Sequence, residues 1–136
     1  VWRGDGKNAV RRALILKHGA SRRHDIAYVG KPVEGLGEPG RFMSKPGHMK
    51  HRYIISLEGR AVATNLKWIM ASNSLCLMPR PKYETWFAEG LLQPGVHYAE
   101  LRPDFADLDE VVDHFERHPD EARAIVANAQ AHVALF

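Results

Sequence analysis

The chain has 136 residues, of which 45% are hydrophobic and 26% charged, and a formal net charge of +3. That length suits one core and one domain over residues 1–136. No run reaches the roughly 18–20 apolar residues that span a bilayer, and the single cysteine, Cys76, excludes an internal disulfide. No signal-peptide series opens the chain. It begins with Val rather than Met, and we read it as a fragment of a longer protein.

Val1–Arg3 reads as a strand running into the turn Gly4-Asp5-Gly6, and Ala9–His18 as a helix ended by Gly19. Asp25–Val29 is a second strand. Residues 30–47, GKPVEGLGEPGRFMSKPG, are rich in Gly and Pro and predict a long loop. Tyr53–Leu57 is a buried strand ending at Glu58-Gly59. Ala61–Ala71 follows as a helix, with Val62, Leu66, Ile69 and Met70 at helical spacing. Leu75–Met78 is a short buried strand, where Cys76 is expected to be an inert thiol. Lys82-Tyr83-Glu84 is expected to open a helix over Tyr83–Glu89, and Val96–Glu100 is the last strand. Leu108–Arg117, capped by Asp107, and Asp120–Ala134 are helices parted by His118-Pro119. The alternation predicts an α/β fold: a parallel sheet with helices on both faces.

In such sheets ligands bind beyond the carboxyl ends of the strands, where helix N-termini attract phosphate. The polar residues at those turns are therefore the candidates. At Arg3-Gly4 the glycine permits close backbone approach, and Arg3 supplies a planar fork suited to pyrophosphate; a plain β-turn with a surface arginine is the alternative. Arg11 and Arg12 follow on the first helix. Ala63, Thr64 and Asn65 lie at the start of the central helix, and Lys67 is either a further cation there or a solvated helix residue. Ser72-Asn73-Ser74 can bond the turn backbone before the strand at Leu75. Glu84 is favoured by the dipole of the expected helix. Glu58 stands at a strand end as an architectural or ligand-positioning carboxylate. Trp68 and Trp86 read as core residues, His48 and His51 as a surface pair, and His97-Tyr98 as structural. The eight histidines form no HExxH or Cys/His ligand set, so no metal site is expected. The basic N-terminal stretch lacks interleaved aromatic residues, which argues against a nucleic-acid partner.

The string EGRAVATNLKWIMASNSLCLMPRPKYETWF…PGVHYAEL…DFADLDEVV, with the turn Val1-Trp2-Arg3-Gly4 upstream, resembles glycosyltransferase family 90. That family holds capsule-associated and lipopolysaccharide-modifying glycosyltransferases and protein O-glucosyltransferases. The wording TNLKWIM…SNS…ETWF is closer to the bacterial lipopolysaccharide members. The resemblance covers nearly the whole chain, with residues 30–48 matching loosely. It implies the Rossmann-like C-terminal half of a GT-B enzyme, which binds a UDP-sugar as substrate, needs no cofactor and transfers the sugar with inversion and without a metal. The catalytic base, an Asp, is expected in the other domain, so no catalytic residue is assigned here. By the same resemblance Arg3 contacts the diphosphate beside Gly4, one of Arg11 and Arg12 assists, and Ser74 lies near the nucleotide. Glu58, Gly59, Ala63 and Thr64 border it, and Glu84 takes the ribose. Asn65 stands where the protein O-glucosyltransferase branch has an arginine, with Lys67 two residues on. The implied partners are the UDP-sugar and a glycan or glycolipid acceptor such as lipopolysaccharide or capsule. The implied location is cytoplasmic, at the inner face of a bacterial membrane, with peripheral association allowed. Two other readings are a non-catalytic nucleotide- or anion-binding α/β module and a protein-interaction domain using its basic face.

Overall fold

The computed structural model describes residues 1–59 and 63–136. The elements run β1 (Trp2–Gly4), α1 (Ala9–His18), β2 (Ile26–Tyr28), α2 (Lys45–His48), β3 (Tyr53–Ile55), α3 (Leu66–Ala71), β4 (Leu75–Met78), β5 (Ala99–Glu100), α4 (Leu108–Arg117) and α5 (Pro119–Val133). All strand pairs are parallel. One ladder joins β1 to β2, with Trp2 opposite Ile26, and another joins β3, β4 and β5, with Ile54 opposite Cys76 and Leu77 opposite Ala99. Val1 links the two ladders: its N–H group donates to Tyr53 O at 2.9 Å and its carbonyl accepts from Ile55 N at 3.0 Å. The strands therefore lie in the order β2–β1–β3–β4–β5. The direction of growth reverses between β1 and β3.

Strand side chains alternate between faces, and the core divides by that parity. Ile55, Leu57, Leu75, Leu77, Ala99 and Leu101 belong to one cluster, with Leu14 and Ile15 of α1 and Leu108, Val112 and Phe115 of α4. Ile54, Cys76, Met78 and Tyr98 belong to the other, with Ile69 and Met70 of α3 and Ala129 of α5. The parallel α/β fold with helices on both faces is thus borne out. Burial explains the composition of β4, whose four residues are all apolar and all enclosed.

Several elements differ from the sequence reading. No helix forms over Tyr83–Glu89; that stretch is turns leading into a 3₁₀ turn at Glu89–Leu91. Side chains take the N–H groups a helix needs: Glu58 accepts from Lys82 and Tyr83, Glu89 from Thr85, and Thr85 Oγ1 from Phe87. Ala88 then adopts a left-handed φ of 56°, which no helix interior tolerates. The central helix starts at Leu66 rather than Ala61, with Asn65 at its N-cap; Ala61 and Val62 lie outside the described residues. The last strand shortens to Ala99–Glu100 because Val96 and His97 both donate to Gln93 O in a turn through Gly95, φ 76°. Inside the long loop, Ser44 caps the short helix α2. Asp107 occupies the N-cap of α4, but its carboxylate accepts from Arg102 N instead of capping.

Candidate functional site

A cavity of about 410 Å³ opens beyond the carboxyl ends of β3, β4 and β5, a size within the about 300–1,000 Å³ of small-molecule sites. Its walls come from four turns: Asn8–Val10 at the start of α1, Ser56–Gly59 after β3, Met78–Tyr83 after β4, and Glu100, Leu101 and Pro103 after β5. Ala63, Leu66 and Glu89 complete the lining. The mouth therefore borders the β1/β3 reversal, where an open parallel sheet leaves a crevice.

Arg11 fills that crevice. Its Nη1 bonds Asp5 at 3.0 Å and its Nη2 the carbonyl of Leu57 at 3.1 Å, while the guanidinium sits 5.8 Å from the Trp2 ring centroid. The side chain is 16% exposed, and Nε is buried with no acceptor among the described residues. Gly4 and Gly59 flank it: a Cβ on Gly4 would fall 3.3 Å from Nη1, and one on Gly59 3.4 Å from Nη2. The glycines thus let two strand ends approach one cation. Beside it, Asn8 caps α1 by accepting from Arg11 N and ties the helix to β3 by donating to Glu58 O at 3.1 Å. No acidic residue occupies the first turn of α1, so its partial positive charge is uncompensated there.

The carboxylate of Glu58 accepts from Lys82 N at 2.9 Å and Tyr83 N at 3.0 Å. It pins the 79–83 turn as one wall of the cavity. Arg80 faces the same space but pairs with Glu100 at 2.6 Å. Glu89 is buried, and its carboxylate accepts from Thr85 N and Thr85 Oγ1. Sequence reasoning missed Asn8, Ser56 and Glu89. The helix-capping pattern before Ala9 was a usable signal for Asn8, whereas Glu89 is enclosed only by tertiary packing.

The remaining candidates scatter. Arg3, unlike Arg11, bonds none of the described residues that line the cavity: its guanidinium bonds Asp25 Oδ1 at 2.7 Å, the Asp25 and Trp2 carbonyls and Arg41 O, clamping the start of β2. Arg12 approaches Gly35 in the long loop, with Nη2 3.7 Å from where a Cβ would stand. Asn65 Oδ1 accepts from Ser56 Oγ, and Thr64 is exposed. Lys67 Nζ sits 4.5 Å from the centroid of Trp86. Ser74 stands at the amino end of β4, donating to His51 O at 2.7 Å, away from the cavity. Glu84 lies against Gly90 and heads no helix. Trp86 is 67% exposed rather than core, while Trp68 packs beside the second cluster. His48 is buried against Trp68, not a surface residue, because Nδ1 bonds Ser44 O and the ring meets the indole edge-on. Cys76 is enclosed, and burial pushes its thiol up to about 12, in keeping with an inert role.

The fold and cavity define an α/β domain with a cation and a helix start, capped by Asn8, at the switch point of a parallel sheet. The model of glycosyl transferase family 90 matches residues 1–135, and the chain belongs to that family. It is 51% identical to O-glucosyltransferase LpsA of Dichelobacter nodosus over the whole of this chain and 43% of that protein. It is 33% identical to protein O-glucosyltransferase 2 of Danio rerio over 60% of this chain and 16% of that one. A 26% match to the O-glucosyltransferase rumi homolog of Anopheles gambiae covers 71% of this chain and 24% of that one. The chain thus spans less than half the length of these relatives. Among the described residues no helix is long and apolar enough to cross a membrane.

Proposed function

We propose that this chain is the donor-binding half of a GT-B glycosyltransferase that moves a sugar, glucose by likeness to LpsA, from UDP onto a glycan or glycolipid acceptor of the lipopolysaccharide or capsule class. The observation that carries the reading is the cavity at the carboxyl ends of β3–β5, lined in part by Asn8–Val10 at the start of α1, with Arg11 bonded to the carbonyl of the lining residue Leu57. In this reading the diphosphate lies at the β1/β3 crevice against Arg11 and the α1 amides, which stabilise the departing UDP electrostatically. Arg3 acts at one remove, by holding β1 against β2. The nucleoside occupies the space walled by Leu57, Met78, Tyr83 and Leu101, and Glu89 is better placed than Glu84 to face the ribose. The acceptor and the general base belong to the remainder of the protein. Transfer goes with inversion and without a catalytic metal, and the enzyme works at the inner face of the membrane.

Calorimetry of UDP against the folded chain tests this. A Kd of roughly 0.1–1 mM, about 4–5.5 kcal/mol, is expected for half of a cleft. Uridine alone should bind more weakly than UDP, and residues 1–136 alone should transfer no sugar. A folded sample that ignores UDP would sink the reading. Affinity for pyrophosphate equal to that for UDP would reduce it to an anion-binding module.

A further inference from the structure

We infer that His114, His118 and Glu121 form a binding site for a divalent transition metal, zinc foremost, at the corner between α4 and α5. Their ligand atoms all lie within 4.8 Å of one another. The site is independent of the nucleotide cavity. The groove beside it is lined by Phe115, Pro119 and Ala122 together with Tyr53 and Leu75, the first residues of β3 and β4, which puts it at the amino ends of the strands.

The corner exists because His118 leaves helical geometry, at φ −128° and ψ 61°, and Pro119 then opens α5 with a residue that needs no N–H partner. Glu121, in the first turn of α5, is thereby folded back against His114 in the last turn of α4. His114 Nε2 and Glu121 Oε2 stand 3.1 Å apart. Two ligands about 2.0–2.1 Å from a tetrahedral zinc are separated by about 3.3 Å, so this pair is already at ligand spacing. The His118 ring stacks on that of His114, with centroids 4.4 Å apart and planes 22° from parallel, so the His114 ring has to turn on binding for both in-plane lone pairs to meet one ion. Its Nδ1 bonds the His114 carbonyl at 2.8 Å. A histidine whose Nδ1–H donates to a backbone carbonyl holds a lone pair on Nε2, the arrangement that orients metal-bound imidazoles. Two imidazoles and one carboxylate suit zinc, copper and nickel rather than magnesium or calcium. The remaining positions go to water. Because the ion joins two helices far from the cavity, its role is to brace the α4–α5 corner rather than to take part in transfer.

The test is zinc titration of the chain prepared without a histidine tag, followed by calorimetry and by melting temperature. One zinc per chain is expected, with a rise in melting temperature, and cobalt should give a visible d–d band. His114→Ala, His118→Ala and Glu121→Gln should each weaken zinc at least about tenfold, since even outer partners of a metal site cost that much. His97→Gln, away from the corner, should leave affinity unchanged. Glu121→Gln alters no backbone contact, so it carries the test by itself if replacing His118 unsettles the corner. Absence of saturable zinc binding overturns the inference. So does undiminished affinity in His114→Ala and Glu121→Gln, which would leave only an ordinary surface hydrogen bond between the two residues.

Discussion

Replacing Arg11 by methionine keeps the aliphatic stem and removes the guanidinium. The bond to Leu57 O is charge-assisted and partly buried, worth about 1.5–3 kcal/mol. The Asp5 pair adds little, at most about 1 kcal/mol, because Asp5 is 55% exposed. Contact with the Trp2 face contributes about 0.5–1 kcal/mol. Against these, burying Nε without an acceptor among the described residues costs about 1–3 kcal/mol, which the substitution relieves. The net loss of stability should be only about 1–2 kcal/mol, or about 3–6 °C in Tm for a domain of this size. Loss of a charge-assisted phosphate contact costs about 1.5–3 kcal/mol of binding, roughly a 10- to 100-fold rise in Kd for UDP. Thermal unfolding and UDP calorimetry on the same samples separate the two effects. A variant that melts earlier yet binds UDP as well as the parent would show that Arg11 only fastens β1 to β3. The diphosphate would then have to lie against Lys82 or the α1 amides alone.

Glu89→Ala should destabilise by about 2–3 kcal/mol in chemical denaturation, since Thr85 N and Oγ1 lose a buried acceptor. A change below about 0.5 kcal/mol would mean that water serves the same donors. Cys76 should resist iodoacetamide at neutral pH until denaturant is added, because its thiol is enclosed and pushed up to about 12; rapid labelling of the native chain would contradict its burial. Burial and the neighbouring His132 hold His97 below the ordinary 6.5. Its contribution to stability is therefore present above pH 6.5 and lost as pH falls from there through its folded value. His97→Gln should flatten the fall in Tm between pH 7 and 5, and an unchanged slope would assign that fall to other groups.

Where apolar periodicity was strong, elements were legible from the chain alone. The helices α1 and α4 have the bounds read from their start and stop signals, Gly19 for the first and Asp107 and His118-Pro119 for the second, and β4 was visible as four consecutive apolar residues. The stretch Tyr83–Glu89 misled because its composition suits a helix while its N–H groups are claimed by side chains, one of them, Glu58, from 25 residues upstream. The candidate site was legible in its location but not in its membership. Turns after strands are places where polar residues collect, and Glu58, Gly59 and Ala63 do line the cavity. The sequence put Arg3 first and could not choose between Arg11 and Arg12 by spacing, because the partner a long guanidinium reaches is set by how α1 packs.

The sequence by itself therefore determined the family and the parallel α/β class, both of which are written in local pattern and residue order. Only the tertiary structure decided that Arg3 turns back to Asp25 while Arg11 turns into the β1/β3 crevice. It alone made a clamp of Glu58, buried Glu89 and brought His114 to Glu121 across a corner. The physical reason is common to these cases. A polar side chain's role is set by the partner that satisfies it, and that partner is chosen by how separate elements pack, which no local pattern records.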